Sequence, residues 1–323
     1  MKAFGITEYG GAPHLRDVAV PEPGPGELRV RIAACGLNFA DLLMAEGRYQ
    51  ERPDPPVTLG MEPAGVVDAL GPGVEGPAPG TRVAVFASGG GLAEFGCFPA
   101  RRCVVLPDAM SFEDAAAFPI AYGTSHVALD RRARLRPEET LLVLGAGGGV
   151  GLTAVEIGKR MGARVIACAR GTAKLNAARA AGADHLIDSD AADLKAEVKA
   201  LGGADVVYDP VGGDLFDAAF RATNPEARIL VIGFAGGRVQ QIPANHLLVK
   251  NVNVLGLYWG GYLAFRPDVV AESLATLLGW YVEGGLRPHI SYRQPLARAG
   301  EALELLRARK STGKVVVLAD GTE

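Results

Sequence analysis

Over the first 120 or so residues, short apolar runs alternate with breaks rich in Gly and Pro. LRVRIAAC (28–35), AGVVDAL (64–70), RVAVF (82–86) and CVVLP (103–107) are each about one strand long. PEPGPGE, GPGVEGPAPG and ASGGGLAEFG separate them, and such segments favour turns. Short strands between dense turns predict a small β-barrel-like domain.

From about Ala121 the pattern changes. Apolar runs at 140–146, 164–169, 185–188, 205–209, 228–233 and 251–259 alternate with helix-like stretches. These helices are expected to open at Gly149, Thr172, Ala191 and Asp214 and near Pro243. Six strands alternating with helices predict a doubly wound parallel sheet with right-handed crossovers. The tail reads as helices over 267–283 and 297–309 and a last strand, KVVVLA, from Lys314. The expected organisation is one domain, 1–121 and 260–323, split around an inserted domain, 122–259.

At 323 residues the chain exceeds what one core usually serves, which agrees with two domains. Lys plus Arg numbers 33 and Asp plus Glu 36, a net −3 that gives no bulk attraction to nucleic acid or anionic membrane. The basic run Arg131–Arg136 is short and is followed by Glu138 and Glu139, as a solvated helix end would be. Four scattered cysteines without a Cys-x-x-Cys argue against a disulfide framework or a zinc knuckle. No signal-like or bilayer-length apolar run is present, so a soluble cytoplasmic protein is expected.

Candidate chemistry begins where Leu141–Leu144 runs into Gly145-Ala146-Gly147-Gly148-Gly149-Val150-Gly151. A pyrophosphate needs backbone N–H groups with no Cβ in the way, and a helix N-terminus supplies them. Gly145, Gly148, Gly149 and Val150 are the candidates. An acid at the end of the next strand would accept hydrogen bonds from the ribose 2′-OH of NAD, but Ala169 stands there. Arg170 and Lys174 follow, with Thr172 between them, and would neutralise a 2′-phosphate. NADPH is the expected cofactor.

AACGLNFADLL, EGRY, LGMEPAGVV, AYGTSHVAL, GAGGGVG, AAGADHLID, DPVGG and STGKVVVL together resemble the medium-chain dehydrogenase/reductase superfamily almost end to end. The resemblance is to its zinc-independent NADPH:quinone oxidoreductase branch, which includes zeta-crystallin. The resemblance implies a Rossmann doubly wound sheet inserted in a GroES-like β-barrel-type catalytic domain. Where zinc-dependent relatives carry a ligating Cys and His, this chain has Asn38 and Met61, so no metal is expected. By the same resemblance, Asn38 lies beside the nicotinamide with Asp41 in support, and Tyr49 lines the substrate site. Thr124 contacts the nicotinamide side, while Gly212, Gly233, Phe234, Leu257 and Trp259 touch the dinucleotide. Simpler roles stay open at this stage: Asn38 as a helix cap, Tyr49 as a surface aromatic, Trp259 as core or interface.

The function these features imply is hydride transfer from NADPH to quinones or related α,β-unsaturated carbonyls. With no metal, Asn38 and Tyr49 are the catalytic candidates, as donors to the charge developing on the carbonyl oxygen. The alternatives are a 2-alkenal or enoyl-thioester reductase on the same fold, and a low-turnover NADPH-binding structural or sensor protein. The sixth strand, 252–259, should lie at a sheet edge, where pairing with a second copy would give a homodimer.

Overall fold

Thr140–Leu144, buried at every position, lies inside a six-stranded parallel sheet in the computed structural model, which describes residues 1–319. The sheet order is His185–Asp188, Arg164–Ala169, Thr140–Leu144, Ala204–Asp209, Thr223–Val231, Asn253–Gly256. Every neighbouring pair is parallel; Val143 stands opposite Ala167 on one side and Tyr208 on the other. Helices cover both faces of such a sheet, so its inner strands are apolar throughout rather than alternating. Leu142, Leu144, Ile166, Cys168, Val207 and Ile229 pack with Phe216 and Phe220 into one core.

The connecting helices are Gly149–Arg160, Thr172–Ala180, Leu194–Ala200, Gly213–Ala222 and Ala244–Lys250. The third starts later than the Ala191 expected, because the Asp193 carboxylate accepts the Ala196 N–H and caps it there. The fifth strand starts earlier than expected, at Thr223, through a register shift opposite Ala204 and Val206. The sixth is shorter than 252–259: it spans Asn253–Gly256 and lies at the sheet edge.

This sheet and its helices form one compact unit, Ala121–Leu286; Met1–Ile120 and the segment from Arg287 on form the other. The second junction therefore falls at 286/287, not at 259/260. The helix Pro267–Val282 is the reason. Ser273 hydrogen-bonds His126 at 2.8 Å, and the Trp280 ring takes His126 edge-on and the Arg160 guanidinium on its face.

In the other unit the four apolar runs become antiparallel strands, and two pairings arise that local pattern does not show. Lys2–Ile6 pairs with His14–Asp17, and Phe95–Pro99 joins the long strand Glu27–Gly36. Glu27–Gly36 also pairs with Glu62–Leu70 and, near its end, with Lys314–Leu318. Leu37, Leu42, Met44, Leu59, Val315 and Leu296 are among the residues packed in the core beside it. Among the described residues, no helix is long and apolar enough to cross a membrane.

Candidate active site

The glycine-rich turn owes its shape to three of its residues. Gly145 has φ +60°, a left-handed conformation that a Cβ disfavours. A Cβ on Gly151 would collide with the Gly145 carbonyl oxygen, so the first turn of Gly149–Arg160 presses directly on the strand end. Gly148 caps that helix, and its missing Cβ would meet nothing closer than the Gly145 oxygen at 3.4 Å. The N–H groups of Gly149 and Val150 thus begin a helix at the carboxyl end of a central strand. A dinucleotide pyrophosphate fits that place.

The expected cofactor residues of this unit, Thr124 and Trp259 apart, gather at the same carboxyl edge. Arg170 follows Arg164–Ala169, and Lys174 lies on the first turn of Thr172–Ala180. The Lys174 stem lies against Gly147, and Arg170 pairs with Asp190 at 3.1 Å. Both Arg170 and Asp190 are largely exposed, and an exposed pair holds its partners loosely. Next along, the buried Asp209 accepts the N–H groups of Val211 and Gly212, each at 2.8 Å, and burial pushes its carboxyl up from the usual range. Gly212 has φ +74°, with the Phe234 ring close by. Ala235 and Gly236 donate back to Pro210 and Val211, so the Gly233–Phe234 loop is fastened to the Gly212 loop. Leu257 ends the row, donating to Val231 at 3.1 Å.

Thr124 is half-buried on the helix Pro119–His126. Beside it, the Ser125 hydroxyl bonds the Thr153 hydroxyl at 2.8 Å, the Tyr208 hydroxyl at 2.9 Å and the Val150 carbonyl at 3.0 Å. This buried hydroxyl group ties the Thr124 helix to the Val150 helix, and residue pattern gave no sign of it. Trp259 is 6% exposed with its indole against Gly123, where a Cβ would sit 2.8 Å from the ring. Its side chain packs beneath the segment that carries Thr124.

The unit built on Glu27–Gly36 carries the other candidates. Asn38 begins the helix Phe39–Ala45, and Asp41 in its first turn accepts the Asn38 N–H at 2.8 Å. Asp41 also accepts the Gly60 N–H at 3.1 Å, and burial pushes its carboxyl up to about 6 against those bonds. The Asn38 side chain enters a knot with two residues not expected at the site. Lys314 Nζ donates to Asn38 Oδ1 at 2.8 Å and to Glu62 Oε2 at 2.6 Å; Asn38 Nδ2 donates to Glu62 Oε2 at 3.0 Å. Glu62 Oε1 accepts the Ile120 N–H at 2.7 Å.

Topology explains the meeting. Lys314–Leu318 and Glu62–Leu70 flank Glu27–Gly36, with Gly36 opposite Glu62, and Leu37 donates to Val315 just before Asn38. The available signal was a charged residue opening each of two apolar strands. Tyr49 lies further on, half-buried against the core that contains Leu42 and Met44.

Met61, which the family resemblance sets where zinc-dependent relatives carry a ligating His, is buried in the same core, and the Cys35 thiol, between Gly60 and Gly91, is pushed up by burial. Among the described residues, no three His, Cys, Asp or Glu side chains come together as a metal ion would require.

Comparison with known proteins agrees with this architecture. A family model described as alcohol dehydrogenase GroES-like domain matches residues 24–108, and one described as zinc-binding dehydrogenase matches residues 149–277. Quinone oxidoreductase-like protein 2 of Bos taurus is 39% identical over 94% of this chain and 89% of its own. The quinone oxidoreductase of Thermus thermophilus, solved also as its NADPH complex, superposes with TM-score 0.87 at 35% identity, covering 98% of this chain and 100% of the other. The quinone oxidoreductase of Escherichia coli, complexed with NADPH, gives TM-score 0.90 at 28% identity over the same shares. The chain is an oxidoreductase-family protein of mixed α/β fold, and it belongs to the medium-chain dehydrogenase/reductase superfamily, in its quinone oxidoreductase branch.

Proposed function

We propose that this protein is a zinc-independent, NADPH-dependent oxidoreductase that reduces quinones or related α,β-unsaturated carbonyls. The observation that carries the reading is the glycine turn, with helix N–H groups at its front and Lys174 and Arg170 at its side where an NAD-binding protein would place an acid. The NADPH complexes of the two bacterial relatives support it. Gly149 and Val150 would hold the pyrophosphate through their N–H groups, Arg170 and Lys174 the 2′-phosphate. Gly212, Gly233, Phe234 and Leu257 would line the dinucleotide, with Thr124 on the nicotinamide side. Bound NADPH supplies the hydride.

The protein's own contribution to the chemistry is orientation and polarisation. In this reading the Asn38 amide donates to the substrate carbonyl oxygen as charge builds there, with the Tyr49 hydroxyl as a second donor. Polarisation rests on these donors and not on a metal, because Asn38 and Met61 replace the thiolate and imidazole that zinc favours.

The same reading holds the protein to be a cytoplasmic homodimer. The edge strand Asn253–Gly256 supports the dimer, as do Leu248 and Val249 in the preceding helix, each 79% exposed.

The test is NADPH oxidation with 1,4-benzoquinone and 9,10-phenanthrenequinone against no-enzyme controls, beside a panel of 2-alkenals and enoyl thioesters. Turnover of quinones or enones supports the reading. Reduction of thioesters alone moves the protein to the reductase alternative, and no turnover with tight NADPH binding leaves a sensor or structural role.

A further inference from the structure

Lys314 and Glu62 are both charged and almost wholly buried, at 4% and 0% side-chain exposure. Burying such a pair is rarely the most stable solution, since well-packed apolar side chains of similar volume often do as well or better. Their arrangement around Asn38 gives them a directional role. We propose that Lys314 and Glu62 together are positioning residues that fix which end of the Asn38 amide faces the substrate, so that the site offers a donor and selects substrates that present an acceptor. The inference rests on the reading of Asn38 as the group that meets the carbonyl oxygen.

The donor and acceptor inventory forces the orientation. An ammonium can only donate and a carboxylate can only accept. With Lys314 on one side and Glu62 on the other, Oδ1 must face Lys314 and Nδ2 must face Glu62, as the 2.8 and 3.0 Å contacts show. A flipped amide would set its NH₂ against the ammonium and its oxygen against the carboxylate. Two charge-assisted hydrogen bonds would become two repulsive contacts.

The frame itself is fixed. The Ile120 N–H holds the second Glu62 oxygen, Asp41 holds the Asn38 backbone, and Lys314 donates its own N–H to His289 at 2.8 Å.

One N–H of the amide is therefore used inside the knot, and the second has no partner among the described residues. Asn38 is half-exposed, so this proton is the part of the amide available to a ligand. A cation on Oδ1 also polarises the amide and strengthens that donor, in the way linked hydrogen bonds reinforce one another. A carbonyl gaining negative charge is stabilised; a substrate group that could only donate finds no acceptor there.

The experiment has two arms. In the first, 15N-edited NMR follows hydrogen exchange of the two Asn38 side-chain protons in the wild-type protein, identified by their loss in Asn38→Ala. The proposal expects one proton protected at least about tenfold relative to the other; equal exchange overturns it, whatever the turnover. In the second, kcat for a quinone is measured for Lys314→Met/Glu62→Gln, which removes both charges together, for Asn38→Ala, and for the triple variant. NADPH affinity and thermal midpoint are checked in each.

The expected result is a loss of about tenfold or more for the charge-neutral pair, on the scale of one misaimed oxyanion donor. In the Asn38→Ala background the same pair should cost less than about twofold, since Lys314 acts only through Asn38. Losses that multiply, or a Lys314→Met/Glu62→Gln protein with wild-type kcat, overturn the proposal. If the pair variant fails to fold, the exchange asymmetry decides alone. A wild-type protein that turns over no quinone or enone overturns the functional reading and the selectivity with it, an outcome distinct from equal exchange.

Discussion

The aliphatic stem of Lys174 lies so close to Gly147 that a Cβ on the glycine would sit 2.5 Å from Lys174 Cβ. The glycine-rich turn and the start of the next helix are thereby packed on each other, and the lysine is tied to the glycine loop. Its charge stands at the first turn of Thr172–Ala180, where a cation is unfavourable unless an anion answers it. In the proposed reading a 2′-phosphate supplies that anion. Lys174→Ala and Arg170→Ala should each weaken NADPH by roughly ten- to a hundredfold, the scale of one hydrogen bond to a charged group, and leave NADH nearly unchanged. Fluorescence titration of both cofactors reads this; equal losses for the two would place the basic pair elsewhere.

The close approach of Gly151 to Gly145 makes a second expectation. Gly151→Ala must push the helix off the strand end, and overpacking of this kind costs about 1–3 kcal/mol. Thermal unfolding should show the loss, and NADPH affinity should fall with it because the same shift moves the Gly149 and Val150 N–H groups. An alanine variant with wild-type midpoint and affinity would show that the turn has slack.

Asp41 gives a pH signature. Its carboxyl is raised by burial to about 6 in the folded protein, above its usual value of 3.8. Between those values the folded state holds more protons than the unfolded state, so this group stabilises the fold as pH falls through about 6 and opposes it at neutral pH. Asp41→Asn should therefore flatten the wild-type stability profile between about pH 7 and 4.5. Chemical denaturation across that range measures it; parallel profiles would mean that Asp41 stays ionised throughout.

Much of this was legible in local pattern. Thr140–Leu144, Arg164–Ala169 and Ala204–Asp209 are apolar because both their faces are covered, and that texture marks a parallel sheet wherever it recurs with helices between. The glycine turn was visible for the same local reason. Lys314 and Glu62 were missed because they lie 252 residues apart, and only the pairing of both strands with Glu27–Gly36 brings them together. The junction was expected at 259/260 and lies at 286/287, because the contacts of Pro267–Val282 with His126 and Arg160 depend on tertiary packing. The pairing of Lys2–Ile6 with His14–Asp17 was hidden by exposed and half-buried residues in the second strand.

The edge strand makes an expectation about assembly. Leu257 donates inward to Val231, and alternation along the strand turns the Val254 N–H outward; the Gly256 carbonyl is taken by Arg132 at 3.2 Å. Light scattering should report about twice 33.6 kDa. Val254→Pro removes an outward donor and should shift the protein towards monomer while the inner ladder stays intact. A wild-type monomer at micromolar concentration would remove the dimer from the account.

The most direct measurement is turnover by the purified, chelator-treated wild-type protein: NADPH oxidation with 9,10-phenanthrenequinone, with zinc counted in the same sample. The account predicts quinone-dependent oxidation well above the no-enzyme rate, unchanged by chelator, with far less than one zinc per chain. Stoichiometric zinc with chelator-sensitive activity, or no quinone-dependent oxidation in a protein that binds NADPH, would contradict it.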